Sequence, residues 1–226
     1  IGSPICEDAW HEEVAETLEE TGAEFLLVPN GSPYYRGKFD VRMNQMVARV
    51  VETGLPLIYL NMVGGQDDQV FDGGSFALNP GGKLAVQMPV FDEQITQVDL
   101  TRTDAGWRVD DGAKAIIPGQ FEQDYRVCVQ ALRDYMGKTG FKKVLLGMSG
   151  GIDSALVATI AVDALGGENV RCVMLPSEYT SQGSLDDAKD CAERIGADYN
   201  FVPISEGRNA ITNTLAPLFE GLAPDV

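Results

Sequence analysis

The feature that most constrains the fold is a passage from an apolar run, through a glycine turn, into a helical pattern at residues 143–165. The apolar run KVLLGM ends at Ser149-Gly150-Gly151, and the helical pattern DSALVATIAVDAL follows almost at once. Strand and helix patterns keep alternating as far as the run DYNFVPI, which predicts a parallel sheet. The first 60 residues alternate in the same way. The sequence therefore predicts an α/β protein with two such halves.

Apolar periodicity places the elements of the first half. Continuous apolar runs predict strands at EFLLVPN and LPLIYLN, and spacings of three and four residues predict helices over residues 9–21 and 39–54. Two further apolar runs around the turn NPGG predict a hairpin, and the alternating stretch QITQVDL predicts one more strand.

A change of pattern near residue 100 suggests a domain boundary. Residues 101–118 carry no clear period and are interpreted as a connector. We therefore predict a first domain over residues 1–100 and a second over residues 119–226. The chain begins at Ile1 rather than methionine, inside what resembles the middle of a fold. We expect it to be an internal part of a longer protein.

The charge balance excludes some partners. The formal net charge is −17, from 17 Lys and Arg against 34 Asp and Glu. Nucleic-acid binding draws on clustered cations, so we expect no nucleic-acid partner. No apolar run has the length of a membrane span, so we expect no membrane partner. None of the four cysteines forms a CxxC pair, which favours reduced thiols and a cytoplasmic location.

The glycine turn SGGIDS has the composition of an anion site. Glycines let the backbone approach a ligand closely, and the free N–H groups of a following helix attract phosphate. Ser149 and Ser154 add hydroxyl donors. Asp153, which looks buried at the mouth of the helix, suggests Mg²⁺, since a carboxylate beside phosphate is unfavourable without a cation between them. Alternatively, the glycines only make a tight turn and Asp153 caps the helix.

The turn matches neither the Walker loop nor the dinucleotide fingerprint. After its apolar strand, SGGIDS resembles the pyrophosphate loop of the N-type ATP pyrophosphatases, which have a Rossmann-like parallel sheet. The resemblance implies that ATP is cleaved between its α and β phosphates and that a substrate is activated as an adenylate. It implies Asp153 as a metal ligand, and it implies ATP contacts at Gly147, Met148, Ser149, Gly150, Gly151, Ile152, Asp153 and Ser154.

Cys6, in the stretch ICEDAW, stands at a predicted strand-to-helix junction. A helix N-terminus can activate a thiol, but Glu7 and Asp8 follow at once and oppose a thiolate. His11 is the only histidine, and its spacing suits a dyad with Cys6 poorly. From these residues alone, a small buried cysteine is the favoured interpretation.

The stretches ICEDAW, LLVPNGSPYYRGKFDVR and YLNMVGGQDDQVFDGGSFALNPGG closely resemble the carboxyl half of a nitrilase-type glutaminase domain, an α/β sandwich. More narrowly, they resemble the glutaminase domain of glutamine-dependent NAD synthetases. This resemblance implies Cys6 as the nucleophile and glutamine contacts at Ser32 and Lys38. The family's partner lysine and glutamate lie upstream of the cysteine, outside this sequence.

A third match supports the same family. The stretch VMLPSEYTSQGSLDDA resembles the strand and loop that line the adenine in NAD synthetases, which implies an ATP contact at Met174. Together the matches imply glutamine hydrolysis, internal ammonia transfer and ATP-dependent amidation of deamido-NAD, with ATP and Mg²⁺ required. They also imply a homo-oligomer, and a fragment that is inactive alone. The alternative is a nitrilase-like amidohydrolase whose second half binds a nucleotide only as a regulator.

Overall fold

The computed structural model describes residues 1–222. It divides into two compact units, the first formed by Ile1–Lys138 and the second beginning at Thr139. Each unit carries one main sheet.

The first unit contains eight strands, two complete helices and most of a third. The strands are β1 (Leu26–Asn30), β2 (Leu57–Asn61), β3 (Val63–Gln66), β4 (Gln69–Asp72), β5 (Phe76–Asn79), β6 (Lys83–Gln87), β7 (Leu100–Thr103) and β8 (Gly106–Val109). The helices are α1 (Glu12–Glu20), α2 (Lys38–Thr53) and α3 (Gln120–Thr139), with short 3₁₀ turns at Cys6–Trp10 and Pro80–Gly82.

The main sheet of this unit has the order β1-β2-β5-β6. Strands β1 and β2 are parallel, whereas β2, β5 and β6 pair antiparallel. The predicted strand–helix–strand order and the hairpin around NPGG are confirmed. The helix predicted over residues 9–21 starts later, because His11 has extended backbone angles and separates the 3₁₀ turn from α1.

Alternation along the strands sorts the side chains onto two faces of the sheet. Leu26 and Val28 are fully buried, in one core with Met46 of α2, while Leu27 between them is exposed. Residues that follow β6 cover part of the opposite face, where Val109 is fully buried beside Ala85. The paired strands β7 and β8 supply Leu100 and Val109 to this second cluster.

Three details of the first unit differ from the sequence prediction. The stretch QITQVDL is not a strand before Leu100, and Ile95 is fully exposed, so its alternation reflects no sheet pairing. The hairpin β7–β8 begins at Leu100 and otherwise lies within residues 101–118, where no element was predicted. The hairpin β3–β4 was also not predicted, because it turns at Asp67 in the left-handed region (φ 53°) rather than at a glycine.

The second unit contains a three-stranded parallel sheet, as predicted. Its strands are β9 (Val144–Gly147), β10 (Val170–Met174) and β11 (Asp198–Phe201), in the order β11-β10-β9. Its helices are α4 (Ile152–Leu165), α5 (Gln182–Ile195) and α6 (Ser205–Leu215), with 3₁₀ turns at Gly167–Asn169 and Ala216–Phe219. Helix α4 connects β9 to β10, and α5 connects β10 to β11, as parallel pairing requires.

A fully buried ion pair lies inside the first unit. Both side chains of the Arg42–Asp72 pair are only 1% exposed. The guanidinium of Arg42 donates from Nη2 to Oδ1 of Asp72 at 2.5 Å and from Nη1 to Oδ2 at 3.2 Å. This two-pronged contact ties α2 to the end of β4. Removing one partner leaves an unpaired buried charge, which is strongly destabilising.

The substitution Asp72→Asn should therefore lower the free energy of unfolding of the first unit by at least about 3 kcal/mol. The control is Glu24→Gln, which breaks the exposed Arg102–Glu24 pair of the same unit and should cost about 0–1 kcal/mol. Urea unfolding of both variants measures the difference. Equal losses would show that the buried pair does not carry the stability assigned to it.

Candidate functional site

A pocket of about 240 Å³ in the first unit brings together three predicted residues that are far apart in sequence. It is lined by Cys6, Glu7, Trp10, Gly31, Ser32, Pro33 and Lys38. Cys6 comes from the 3₁₀ turn, Ser32 from the loop after β1, and Lys38 from the first position of α2. The loop after β1 lies near the turn of Cys6 because β1 is bridged to Gly2 at the chain start.

Cys6 occupies a strained position at the start of its turn. Its φ angle is +53°, in the left-handed region that non-glycine residues rarely adopt. Such strain is common at active sites, where the surrounding structure holds a side chain in a set direction. The thiol is only partly buried and faces the pocket with Lys38. His11 is exposed and does not line the pocket, so the Cys6–His11 dyad does not form.

Lys38 supplies the positive charge of this pocket. Its Nζ lies 4.3 Å from the ring centroid of Trp10 and 4.8 Å from that of Tyr35. Aromatic faces attract a cation without neutralising it. Since no carboxylate in residues 1–222 forms an ion pair with Lys38, its charge stays available to an anionic group in the pocket.

The phenol of Tyr59 is buried close to Ser32 and Cys6. Burial raises the pKa of Tyr59 to about 12, opposed by the nearby Arg42 and Ser32 side chains. The Ser32 hydroxyl is close enough to lower this pKa but does not complete a hydrogen bond of normal geometry with the Tyr59 hydroxyl, which has no other partner in residues 1–222. The Tyr59 hydroxyl therefore stays neutral throughout the physiological range.

The loop between Ser32 and Lys38 is tied to α3. Asp124 accepts hydrogen bonds from the hydroxyl of Tyr34 and from Nε of Arg36, both at 2.9 Å. The Arg36 hydrogen bond and charge hold the pKa of Asp124 below its usual value. Gln120 donates to the Tyr34 hydroxyl at 2.7 Å. Side chains from the first two turns of α3 thus hold the loop in place through hydrogen bonds.

The second unit has its own open pocket, of about 310 Å³, at the carboxyl ends of β9 and β10. It is lined by Gly147, Met148, Ser149, Val173, Met174, Leu175 and Thr180. Four of these, Gly147, Met148, Ser149 and Met174, are predicted ATP contacts. Ligands of parallel α/β sheets bind at this end of the strands.

The SGGIDS turn holds its own shape through serine hydroxyls. Oγ of Ser154 accepts from the amide of Ser149 at 3.2 Å and donates to the carbonyl of Gly151 at 2.9 Å. Oγ of Ser149 lies 3.0 Å from Oγ of Ser154. Gly150 has φ +80°, and a Cβ there would lie 2.3 Å from the carbonyl oxygen of Ser184. Only glycine fits this turn against α5.

The remaining predicted ATP residues, Gly150 to Ser154, form the turn and the first residues of α4 rather than the lining of this pocket. The Ile152 side chain is 81% exposed. Asp153 is exposed, so its buried appearance in the sequence was misleading: it lies on the outer side of the first helical turn. No group of three or more metal-ligating side chains occurs within residues 1–222.

Sequence reasoning missed several lining residues. Glu7 and Trp10 lie three positions apart, the spacing that a 3₁₀ turn brings to one side. Val173 and Leu175 flank the predicted Met174, and Thr180 comes from the following loop. Proximity in sequence to Cys6 and Met174 was the available signal.

Two family models cover most of the chain. Residues 1–107 match the model described as carbon-nitrogen hydrolase, and residues 124–223 match the model described as NAD synthase. The first part of the chain is therefore similar to carbon-nitrogen hydrolase domains and the second part to NAD synthase domains.

Relatives that match the whole chain include glutamine-dependent NAD(+) synthetases. The protein of that name from Rhodobacter capsulatus is 60% identical over 226 residues, which are 100% of this chain and 41% of the relative. The one from Xanthomonas campestris is 42% identical over 231 residues, again 100% of this chain and 41% of the relative. The chain thus spans about two fifths of the length of these relatives.

A solved structure gives the same result. Glutamine-dependent NAD+ synthetase from Acinetobacter baumannii, in complex with ADP, has a TM-score of 0.93 and 38% identity to this chain. The match covers 99% of this chain and 42% of that one. The resemblance stated from the sequence is confirmed. No helix among residues 1–222 is long and apolar enough to cross a membrane.

The contact between Asp124 and Arg36 should make stability depend on pH. A carboxyl group with a lowered folded pKa contributes fully above its unfolded pKa, and the contribution is lost as pH falls through the folded pKa. We expect Asp124→Asn to lower the Tm, with the largest difference from wild type above about pH 5 and a shrinking one toward pH 2–3. The exposed Asp68→Asn is the control. A difference that stays constant across this range would contradict the assignment.

The SGGIDS turn should not tolerate a side chain at Gly150. We expect Gly150→Ala to lower the free energy of unfolding of the second unit by about 1–3 kcal/mol, through backbone strain and the contact with Ser184. The control is Gly207→Ala in α6, where an added Cβ meets nothing within 4 Å and alanine should stabilise by up to about 1 kcal/mol. Denaturant unfolding measures both. A neutral Gly150→Ala would contradict the close approach.

Proposed function

We propose that the full-length protein containing this chain is a glutamine-dependent NAD synthetase. The observation that carries the proposal is the convergence of Cys6, Ser32 and Lys38 on one pocket of the first unit. The ATP-loop residues Gly147 and Ser149 line a pocket of the second unit, as a ligase also requires. The similarity to synthetases of that name supports both halves.

In the first half-reaction, the thiolate of Cys6 attacks the side-chain amide carbon of glutamine. Ammonia leaves, a thioester remains on Cys6, and water releases glutamate. Ser32 and Lys38 hold the substrate, with the free ammonium of Lys38 facing its carboxylate. A strained, fixed Cys6 keeps the sulfur aimed into the pocket. The general base and a second cation come from upstream of this chain, as the family resemblance implies.

In the second half-reaction, the nicotinate carboxylate of deamido-NAD attacks the α-phosphorus of ATP, and pyrophosphate leaves. Ammonia then displaces AMP from the adenylate and gives NAD. Backbone N–H groups of Gly150 and Gly151 and the hydroxyls of Ser149 and Ser154 bind the phosphates. Met174 packs beside the adenine. The proposed ATP contacts therefore include the pocket-lining residues and also the rest of the turn, from Gly147 to Ser154.

Mg²⁺ fits this site only in part. Asp153 offers an exposed carboxylate beside the turn, with no ion-pair partner among residues 1–222. One carboxylate together with phosphate oxygens and water is a usual magnesium environment. When bound there, the cation supplies charge neutralisation for the phosphates.

The proposal also includes the organisation of the full-length protein. It is a homo-oligomer, as its family resemblance implies. Its domains include residues 1–100 and 119–226, which residues 101–118 join.

The test compares two nitrogen donors in the full-length protein. We expect Cys6→Ala to lower NAD formation from glutamine by at least ~10³-fold, because the nucleophile is lost, while NAD formation from ammonium stays within about 2-fold. Cys128→Ala is the control, since Cys128 is an exposed thiol on α3. Both products, NAD and AMP, are measured with ATP, Mg²⁺ and deamido-NAD present.

The outcomes separate the candidate functions. If wild type hydrolyses glutamine but forms neither AMP nor NAD from either donor, the protein is an amidohydrolase with a regulatory nucleotide site. If Cys6→Ala still uses glutamine at the wild-type rate, the pocket is not the glutaminase site.

A further inference from the structure

The loop that carries Ser32 leaves the sheet and loses its strand partner. Strand β1 ends at Asn30. The carbonyl of Asn30 accepts a hydrogen bond at 3.0 Å from the amide of Met62, the residue that follows β2. Ser32 follows two residues later and is only 6% exposed. Its backbone N–H and C=O still need partners, because unpaired polar groups are costly when buried. Neighbouring Pro33 has no N–H to offer.

The side chain of Asn61 makes the hydrogen bonds to Ser32 that a neighbouring strand would otherwise make. These two hydrogen bonds are called the Asn61 clamp. Its Oδ1 accepts from the amide of Ser32 at 2.9 Å, and its Nδ2 donates to the carbonyl of Ser32 at 3.3 Å. Nδ2 also donates to the carbonyl of Gly73 at 3.1 Å. A carboxamide carries two donor hydrogens and an oxygen that can accept, so both donors of Asn61 are used and its oxygen accepts one hydrogen bond. At 4% exposure, it has no access to solvent as an alternative partner.

The clamp is fixed to the rest of the unit at both ends. The carbonyl of Gly73 also accepts from Nη1 of Arg42 at 3.4 Å, and Arg42 is held by the buried Asp72. The backbone amide of Asn61 donates to Oγ of Ser75 at 2.9 Å. Ser32 is therefore connected through Asn61 and the carbonyl of Gly73 to the buried Arg42–Asp72 ion pair, and moving Ser32 would break hydrogen bonds of this network.

We propose that Asn61 is a positioning residue for glutamine recognition. Its hydrogen bonds reach the pocket lining only at Ser32, and it sets where the Ser32 hydroxyl lies relative to Cys6 and Lys38. The inference rests on the proposed function, because it assigns the clamped serine to glutamine binding. A misplacement of about 1 Å at such a contact is enough to reduce turnover roughly 100-fold.

The chain contains a matched control. Asn79, at the end of β5, clamps the backbone of Val109 in the same way: Nδ2 donates to its carbonyl and Oδ1 accepts from its amide, each at 2.8 Å. Asn79 is 6% exposed, close to the 4% of Asn61. Removing the Asn79 side chain loses two hydrogen bonds and removing that of Asn61 loses three, but Val109 lines neither the pocket of Cys6 nor that of Ser149.

The experiment uses full-length Asn61→Ala and Asn79→Ala. We expect Asn61→Ala to raise the KM for glutamine or lower its kcat/KM by roughly 10- to 100-fold, with NAD formation from ammonium within about 2-fold. Asn79→Ala should keep both within about 2-fold, with a somewhat smaller loss of Tm because it removes two hydrogen bonds rather than three. Equal effects of the two variants on glutamine use, or an unchanged Asn61→Ala, would overturn the proposal.

If Asn61→Ala does not fold, Asn61→Asp provides a second test of the same proposal. Its carboxylate can accept from Ser32 but cannot donate to the carbonyls of Ser32 and Gly73, and protonation restores one donor. Its kcat/KM for glutamine, relative to wild type at each pH, should therefore improve as pH falls. A ratio that stays flat would count against the clamp.

Amide hydrogen exchange separates this inference from the proposed function. In Asn61→Ala the Ser32 amide should exchange faster, because its acceptor is removed, whereas in Asn79→Ala the Val109 amide should do so. If wild type makes no glutamate from glutamine, the proposed function fails, yet exchange still decides whether Asn61 holds the loop. Unchanged exchange at Ser32 would reject the clamp itself.

Discussion

Parallel pairing of neighbouring strands decides where each pocket can form. In a parallel pair the carboxyl ends meet at one edge, so the segments that follow them are brought together there. In the first unit, β1 and β2 pair in register from Leu26 with Leu57 to Asn30 with Asn61. The loop with Ser32 and the side chain of Asn61 therefore meet at that edge. In the second unit, β9 and β10 bring Ser149 and Met174 to one pocket in the same way.

The interior of the first unit is unusually polar where it supports its pocket. Arg42, Asp72 and Asn61 are all buried, and hydrogen bonds connect them through the carbonyl of Gly73. Apolar residues would fill this space at less desolvation cost, but they could not hold the backbone of a loop that has left the sheet. The polar network therefore fits a need for a fixed pocket wall rather than a need for stability. In the second unit, hydrogen bonds of a serine hydroxyl within the SGGIDS turn fix the shape of the turn instead.

The sequence was informative where local patterns decide the structure. Apolar periods identified α2 and the strands of both sheets, and the glycines of SGGIDS marked the turn where Gly150 has a positive φ. Cys6, Ser32 and Lys38 came from the family resemblance, and the structure brings all three to one pocket. Their roles stay predictions.

Long-range contacts were beyond prediction. Asn61 and Ser32 lie 29 positions apart, and no local pattern marks an asparagine at a strand end as a clamp. The contact of Asp124 with Arg36 spans 88 positions. Alternation misled at Ile95, because a period of two does not show that a partner strand exists. Asp153 was misjudged since helix orientation, and not its apolar neighbours, sets its exposure.

The central claim is that one protein passes nitrogen from glutamine to an ATP-activated carboxylate. The most direct measurement supplies glutamine labelled with ¹⁵N at the amide, together with ATP, Mg²⁺ and deamido-NAD, and determines the mass of the NAD formed and the amount of AMP. The account predicts NAD that carries the label, with one AMP for each NAD. Glutamate release without labelled NAD, or without AMP, would contradict it.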